Sequence, residues 1–143
     1  MKDEEIVVEE LNTLLRGTYM GIHAFEHHIQ RLEDPQLKQR FQSMQQEAKQ
    51  NAQKLAERIQ NLNGVPADSE GVSGKMHSLM HKVMLPNDTT EIIKDALKGV
   101  DQYGVEYSEE LVRGDLDSES KKIAEEVINT SRRQAIELRK LLH

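Results

Sequence analysis

The sequence contains no cysteine and no tryptophan, and only 3% of its residues are aromatic. Without cysteine the chain cannot form a disulfide framework, a zinc ribbon, an iron–sulfur cluster or a thiol nucleophile. No apolar run approaches the roughly 18 residues that indicate a membrane span. The first five residues, MKDEE, are polar and unlike a secretory signal. We therefore predict a cytoplasmic protein with no membrane partner.

The chain also lacks a large basic surface. Its net charge is −6, and Lys and Arg are interspersed with Asp and Glu. Binding to a phosphate backbone requires a face of one positive sign. A local basic stripe lies near the end of the chain, where a helix dipole favours cations; it consists of Arg132, Arg133, Arg139 and Lys140. We predict that nucleic acid is not a partner.

Only three prolines occur, at positions 35, 66 and 86, and each lies between segments of helical periodicity. A proline inside a helix costs about 3 kcal/mol, so their placement indicates four long uninterrupted helices. Apolar residues recur at steps of three and four within each segment. The predicted helices cover residues 3–32, 35–62, 88–114 and 118–142.

The lengths of the connections predict how these helices are arranged. The first two are joined by one or two residues and must form an antiparallel hairpin. Residues 64–87 are long enough to cross a helix of about 45 Å, and they include an amphipathic stretch at 76–85. The sequence thus predicts an all-α, ferritin-like antiparallel four-helix bundle with one long crossover carrying a short extra helix. We expect a single domain, 1–143, made of hairpin 3–63, crossover 64–87 and hairpin 88–142.

Helix order, crossover position and the segment LEDPQLK at residues 32–38 resemble the ferritin-like superfamily, and within it the rubrerythrin-like bacterial proteins of uncharacterised function. The resemblance implies a bacterial source and a link to stress or sporulation. It also implies where a di-iron site would lie, because metal-binding members carry Glu on one helix of each hairpin and Glu-x-x-His on the other.

The chain has no Glu-x-x-His. Glu47 on the second helix is followed at that spacing by Gln50, and Glu126 on the fourth by Asn129. On the third helix, Asp101, or Glu106 further along, lies near the level where a ligand is needed. We therefore predict a degraded di-iron site, and we do not expect ferroxidase, peroxidase or oxygenase activity.

Two histidine pairs have the i, i+4 spacing that places both rings on one helix face. They are His23 with His27, and His77 with His81. Such pairs can chelate zinc or copper. We favour the interpretation that both pairs lie at the boundary between an apolar helix face and water. On the crossover, that apolar face consists of Met76, Met80 and Met84. If metal binds, the candidate ligands are Glu47, His23, His27 and Asp101, for iron, zinc or copper.

Glycines interrupt two predicted helices near mid-bundle: Gly17 and Gly21 in the first, Gly99 and Gly104 in the third. Each costs roughly 1 kcal/mol relative to alanine. We favour close packing or room for tyrosine rings. The alternatives are a cavity or bend that holds a ligand, and contact with a second subunit.

Three functions compete. We favour a non-enzymatic binding or assembly protein with no cofactor, because the usual ligands and a nucleophile are missing. The alternative is a rubrerythrin-like metal-binding protein or oxidase with a nonstandard ligand set. A hydrolase or transferase is the weakest hypothesis, since no phosphate loop or nucleophile elbow is found. We favour a homodimer, and the sequence identifies no protein partner, ligand or substrate.

Overall fold

The computed structural model describes residues 2–69, 88–112, 114 and 116–143. They form α1 (Lys2–Arg31), α2 (Pro35–Asn61), α3 (Thr89–Gly99), a π-helical segment (Val100–Glu106), α4 (Tyr107–Val112) and α5 (Ser118–Leu141). The three elements from Thr89 to Val112 are continuous and are called the third bundle helix below. No strand occurs within the described residues. The all-α fold and the four bundle helices are confirmed.

Aspartates fix where three of the helices begin. Asp34, Asp88 and Asp117 each precede a helix in extended backbone conformation. Each side chain accepts a hydrogen bond from a main-chain amide two or three residues further on, at 3.0–3.3 Å. These caps satisfy amides that have no partner within the helix. An acidic or hydroxyl residue directly before a helical segment is a typical N-cap, so the sequence predicts caps at Asp34 and Asp88, and at Asp117 or Ser118 for the last helix.

Contacts between helices define the topology. Near one end of α1, His28 contacts Asp95, and near the other, Glu10 lies against Gly114. The third bundle helix is therefore antiparallel to α1. Gln45 of α2 donates to the main-chain oxygen of Ile22 at 3.1 Å, which is consistent with the antiparallel first hairpin.

The second pair of neighbouring helices is α2 and α5. Lys54 meets Glu126, and Arg58 meets Asp117 at 2.8 Å. The number rises on one helix as it falls on the other, so α2 and α5 are antiparallel. Consequently α2 and the third bundle helix run in the same direction, and the connection between them has to span the bundle. This is the predicted crossover topology.

Apolar side chains form two buried clusters, one toward each end of the bundle. The first includes Leu11, Leu15, Leu55 and Ile59, each 0% exposed. The second contains Phe41, which is also 0% exposed and meets the ring of Phe25 edge-on at 5.9 Å. Of the described helices, none has the length and apolar character needed to span a membrane.

The short helix predicted at 76–85, with His77, His81 and its methionines, lies outside the described residues.

The third helix was expected to be regular, but seven of its residues, Val100–Glu106, are π-helical. Its periodicity in sequence does not reveal this change, because a π segment accommodates extra residues without breaking the helix.

Candidate functional site

A cavity of about 130 Å³ lies in the middle of the bundle. Its apolar wall takes Leu14 and Val127 from one buried cluster, and Phe25 and Ala96 from the other. It therefore separates the two packed ends. Residues from all four bundle helices line it.

Three of the mid-helix glycines face open space. A Cβ added at Gly17, Gly21 or Gly99 would meet nothing within 4 Å, and all three line the cavity. Gly104 differs, because its Cβ would lie 2.7 Å from the Ser131 Oγ. The structure thus favours the cavity interpretation for three glycines and the close-packing interpretation for Gly104.

The π-helical segment forms one side of the cavity. Gly99 precedes it, Val100 and Gly104 belong to it, and Ser108 lies just after it; all four line the cavity. A π turn bonds residues five apart and is wider than an α turn. Such turns often occur at functional sites, because they displace the following side chains from the regular helical positions. Here the displaced side chains lie at the level of the bundle where the cavity interrupts the apolar core.

A histidine–aspartate pair lies at the cavity wall. His28 is 2% exposed, and its Nε2 is 2.8 Å from Oδ2 of Asp95, whose side chain is 25% exposed. The His28 ring also meets Phe41 edge-on, with centroids 6.1 Å apart. The imidazole is thus held between a carboxylate and a packed aromatic ring. This arrangement can present a polar edge to a ligand in the cavity.

Two buried amides also line the cavity. Gln134 of α5 is 5% exposed, and its Nε2 donates to the Met44 main-chain oxygen at 3.1 Å and to Glu47 Oε1 at 3.2 Å. Asn51 of α2 is 6% exposed. None of the hydrogen bonds within the described part of the chain involves the Asn51 amide. Its side-chain oxygen and nitrogen are not among the fully buried, unpartnered polar atoms of the described residues, so the amide faces the open space of the cavity, where water or a ligand can bond to it.

The two predicted acidic ligands lie in ion pairs. Glu47 accepts from Arg133 Nη1 at 3.0 Å, and Asp101 accepts from Arg139 Nη2 at 2.6 Å. Arg132 similarly contacts Glu109 at 2.7 Å. Most of the basic stripe near the C-terminus is therefore paired with acids on neighbouring helices.

The predicted histidines are not gathered with those acids. His23 is exposed and His27 is half-buried on α1. Throughout the described ranges, no three His, Cys, Asp or Glu side chains come together in a way that could hold a metal ion. The donor set found there does not fit a di-iron centre, which requires several carboxylates and imidazoles at one level. Metal binding by Glu47, His23, His27 and Asp101 stays a prediction.

The fold is a ferritin-like four-helix bundle. One similar structure is a dodecameric thioferritin, the bacterioferritin-related protein of Bacteroides fragilis. It has a TM-score of 0.76 and 16% identity, over 97% of this chain and 85% of that one. An archaeal Dps homologue from Halobacterium salinarum has a TM-score of 0.62 and 21% identity, over 99% of this chain and 82% of that one.

At the level of sequence, residues 6–114 match the family described as "Domain of unknown function (DUF2383)". The chain belongs to this family. No curated protein matches the sequence.

Sequence reasoning missed the groups that define the cavity. His28, Asn51 and Gln134 are polar residues on helices that otherwise bury apolar side chains, and Asp95 is distant from His28 in sequence. One signal was present, since Thr18 and Ser131 occupy positions of the apolar stripes and both line the cavity. Small hydroxyl residues at such positions, together with glycines on the neighbouring helix, indicate a gap in the core.

Proposed function

We propose that this protein is a non-enzymatic binding protein of the ferritin-like superfamily, whose bundle centre holds a small organic molecule. The observation that carries the proposal is the cavity of about 130 Å³ between the two apolar clusters. Dry cavities of about 150 Å³ accept benzene, so this volume suits a single ring. Clefts with mainly apolar walls and a few directed polar groups are typical of small-molecule sites.

The wall chemistry supports an organic ligand rather than a metal ion. Glycines keep space open on two helices, while Glu47 and Asp101 are engaged with arginines. Mid-helix glycines reduce helix stability, and the open space beside them lacks packing contacts. A bound molecule would offset these costs by restoring contacts in the middle of the core.

The test is native mass spectrometry on untagged protein, purified under mild conditions. We expect a small-molecule adduct on the wild-type chain, and its loss in Gly21→Leu, whose side chain would enter the cavity. Gly21→Ala is the matched control. It adds a Cβ into open space and leaves most of the cavity, so the adduct should remain.

Two results would contradict the proposal. One is a wild-type protein that carries no adduct even after incubation with the small-molecule fraction of its own cell extract. The other is an adduct that persists unchanged in Gly21→Leu. Circular dichroism on both variants would establish that each remains helical.

The second candidate function is metal binding, supported by similarity to a bacterioferritin-related thioferritin and a Dps homologue. The predicted ligands are Glu47, His23, His27 and Asp101, and iron, zinc or copper would be the metal. Metal content of untagged protein, purified without chelator, tests this function. Near-stoichiometric metal that is lost in Glu47→Ala would support it, and absence of metal from both samples would oppose it.

Placement in the rubrerythrin-like branch, a bacterial stress or sporulation role, and a cytoplasmic location are further proposals that rest on the resemblance in sequence. We also propose self-association, supported by the dodecameric state of the Bacteroides fragilis protein. A homodimer is the form that the sequence favours. Light scattering coupled to size exclusion would measure the mass of the assembly and distinguish a dimer from a dodecamer.

A further inference from the structure

We infer that Asn51 is the residue that selects the ligand, and that the ligand is a small uncharged ring carrying a hydrogen-bond donor next to an acceptor, as in a cyclic amide. This inference rests on the proposed binding function and names the chemistry of its ligand.

The Asn51 side chain lines the cavity at 6% exposure, and no hydrogen bond within the described residues involves it. A primary amide offers two donors and one carbonyl acceptor side by side. A buried amide is normally satisfied, so the missing partners must come from whatever fills the cavity.

Two other buried amides, Gln45 and Gln134, differ from Asn51 in their hydrogen bonds. Gln45, also on α2, is 8% exposed and donates to Ile22 O and Glu26 Oε1, both at 3.1 Å. Gln134 likewise uses its Nε2 on Met44 O and Glu47. These two amides connect helices to each other. Asn51 makes no such connection within the part of the chain that the structure describes, although it is also a buried amide.

The described lining of the cavity contains neither Lys nor Arg. Its one imidazole, His28, and its one carboxylate, Asp95, contact each other at 2.8 Å, so neither is left as a counter-ion for a charged ligand. Burying an uncompensated charge is very costly, which favours a neutral ligand.

The size of the cavity suits a small ring. A volume of about 130 Å³ accommodates one ring, and the apolar walls would contact the faces of that ring. A cyclic amide places N–H and C=O on adjacent atoms, the same spacing as in the asparagine amide. Two parallel hydrogen bonds can then form, as in other bidentate contacts of asparagine.

Isothermal titration of full-length untagged protein with 2-pyridone and with benzene tests the inference. The two rings are similar in size, but only 2-pyridone carries the paired donor and acceptor. Asn51→Leu, which keeps the branched shape and the number of side-chain heavy atoms, should weaken 2-pyridone binding about tenfold and leave benzene binding within about twofold. Gln45→Leu is the matched control, because it removes a buried amide of α2 that does not line the cavity; it should leave the ratio of the two affinities unchanged.

A second measurement applies if Asn51→Leu does not fold. In ¹⁵N spectra of the wild-type protein, 2-pyridone should shift the Asn51 side-chain amide signals, and benzene should shift them much less. The signals are assigned by their disappearance in Asn51→Asp.

The inference is overturned if 2-pyridone fails to bind the wild-type chain, if Asn51→Leu affects both probes equally, or if the Asn51 amide signals do not respond. An adduct in native mass spectrometry combined with any of these results would leave the proposed binding function in place. A cavity filled with water alone would give neither adduct nor probe binding, and would overturn both.

Discussion

The ends of the bundle and its middle are built from the same four helices, yet they are filled differently. At the ends, side chains such as Leu55 and Phe41 are fully buried. In the middle, glycine, hydroxyl and amide residues face a cavity of about 130 Å³. The comparison shows that a helix can continue through a region where its core packing stops, because its backbone hydrogen bonds do not depend on the size of the side chains.

The difference also separates stability from function. Large apolar side chains at the ends contribute most of the burial energy. The middle contains features that lower stability, including Gly21 in a helix interior and the open space beside it. Places where a sequence departs from local stability rules are expected at functional sites. The ends therefore hold the fold, and the middle is where we propose that a ligand binds.

The largest expected effect follows from a substitution that disrupts the apolar packing at one end of the bundle. Phe41→Ala removes a ring that is 0% exposed and packs against Phe25 and His28. We expect the free energy of unfolding to fall by about 3–5 kcal/mol, measured by urea denaturation. A loss below about 1.5 kcal/mol would show that this end is no better packed than the middle.

A smaller effect of opposite sign is expected in the middle. Gly21→Ala should raise the free energy of unfolding by about 0.5–1 kcal/mol, because alanine favours the helix and its Cβ meets nothing within 4 Å. Gly104→Ala is the control in the third bundle helix. Its Cβ would lie 3.0 Å from the Ser131 Cβ, so it should give no such gain. Equal gains at both positions would contradict the distinction between open and closely packed glycines.

The smallest expected effect concerns the ion pair between Asp117 and Arg58, at the end of the bundle that contains the first buried cluster. Burial alone would raise the pKa of Asp117, but hydrogen bonds from Ser120 and the nearby Arg58 guanidinium lower that pKa below its ordinary value of 3.8. The ionised form is thus stabilised on folding, so its contribution is present above pH 3.8 and is lost as pH falls through the folded-state pKa.

Asp117→Asn keeps an N-cap acceptor and removes the charge. It should lower the free energy of unfolding at pH 7 by on the order of 0.5 kcal/mol, since the pair is partly exposed. Urea denaturation at pH 7 and at pH 2.5 measures the change, and the difference from wild type should shrink at the lower pH. A difference that is constant with pH would show that the charge of Asp117 does not contribute.

Much of the fold was predictable because it depends on local features. Asp34 and Pro35 set the start of α2, and Asn63, with φ of 64°, and Gly64 set its end. Helical periodicity predicted which face of each helix is buried, and the length of the segment 64–87 predicted the crossover connection. The candidate site was predicted less well. The four glycines were identified and a cavity was one of the interpretations, but Glu47 and Asp101 were not recognised as partners of Arg133 and Arg139.

The sequence by itself determined the class of fold, the helix caps and the order of the helices, because caps and apolar periodicity act over one or two turns. Tertiary structure alone decided that Gly17, Gly21 and Gly99 face open space while Gly104 faces Ser131. It also decided that Asn51 is buried and forms no hydrogen bond with another of the described residues. These outcomes depend on the rotation of each helix about its axis and on the π segment, and both are set by packing between residues far apart in the chain.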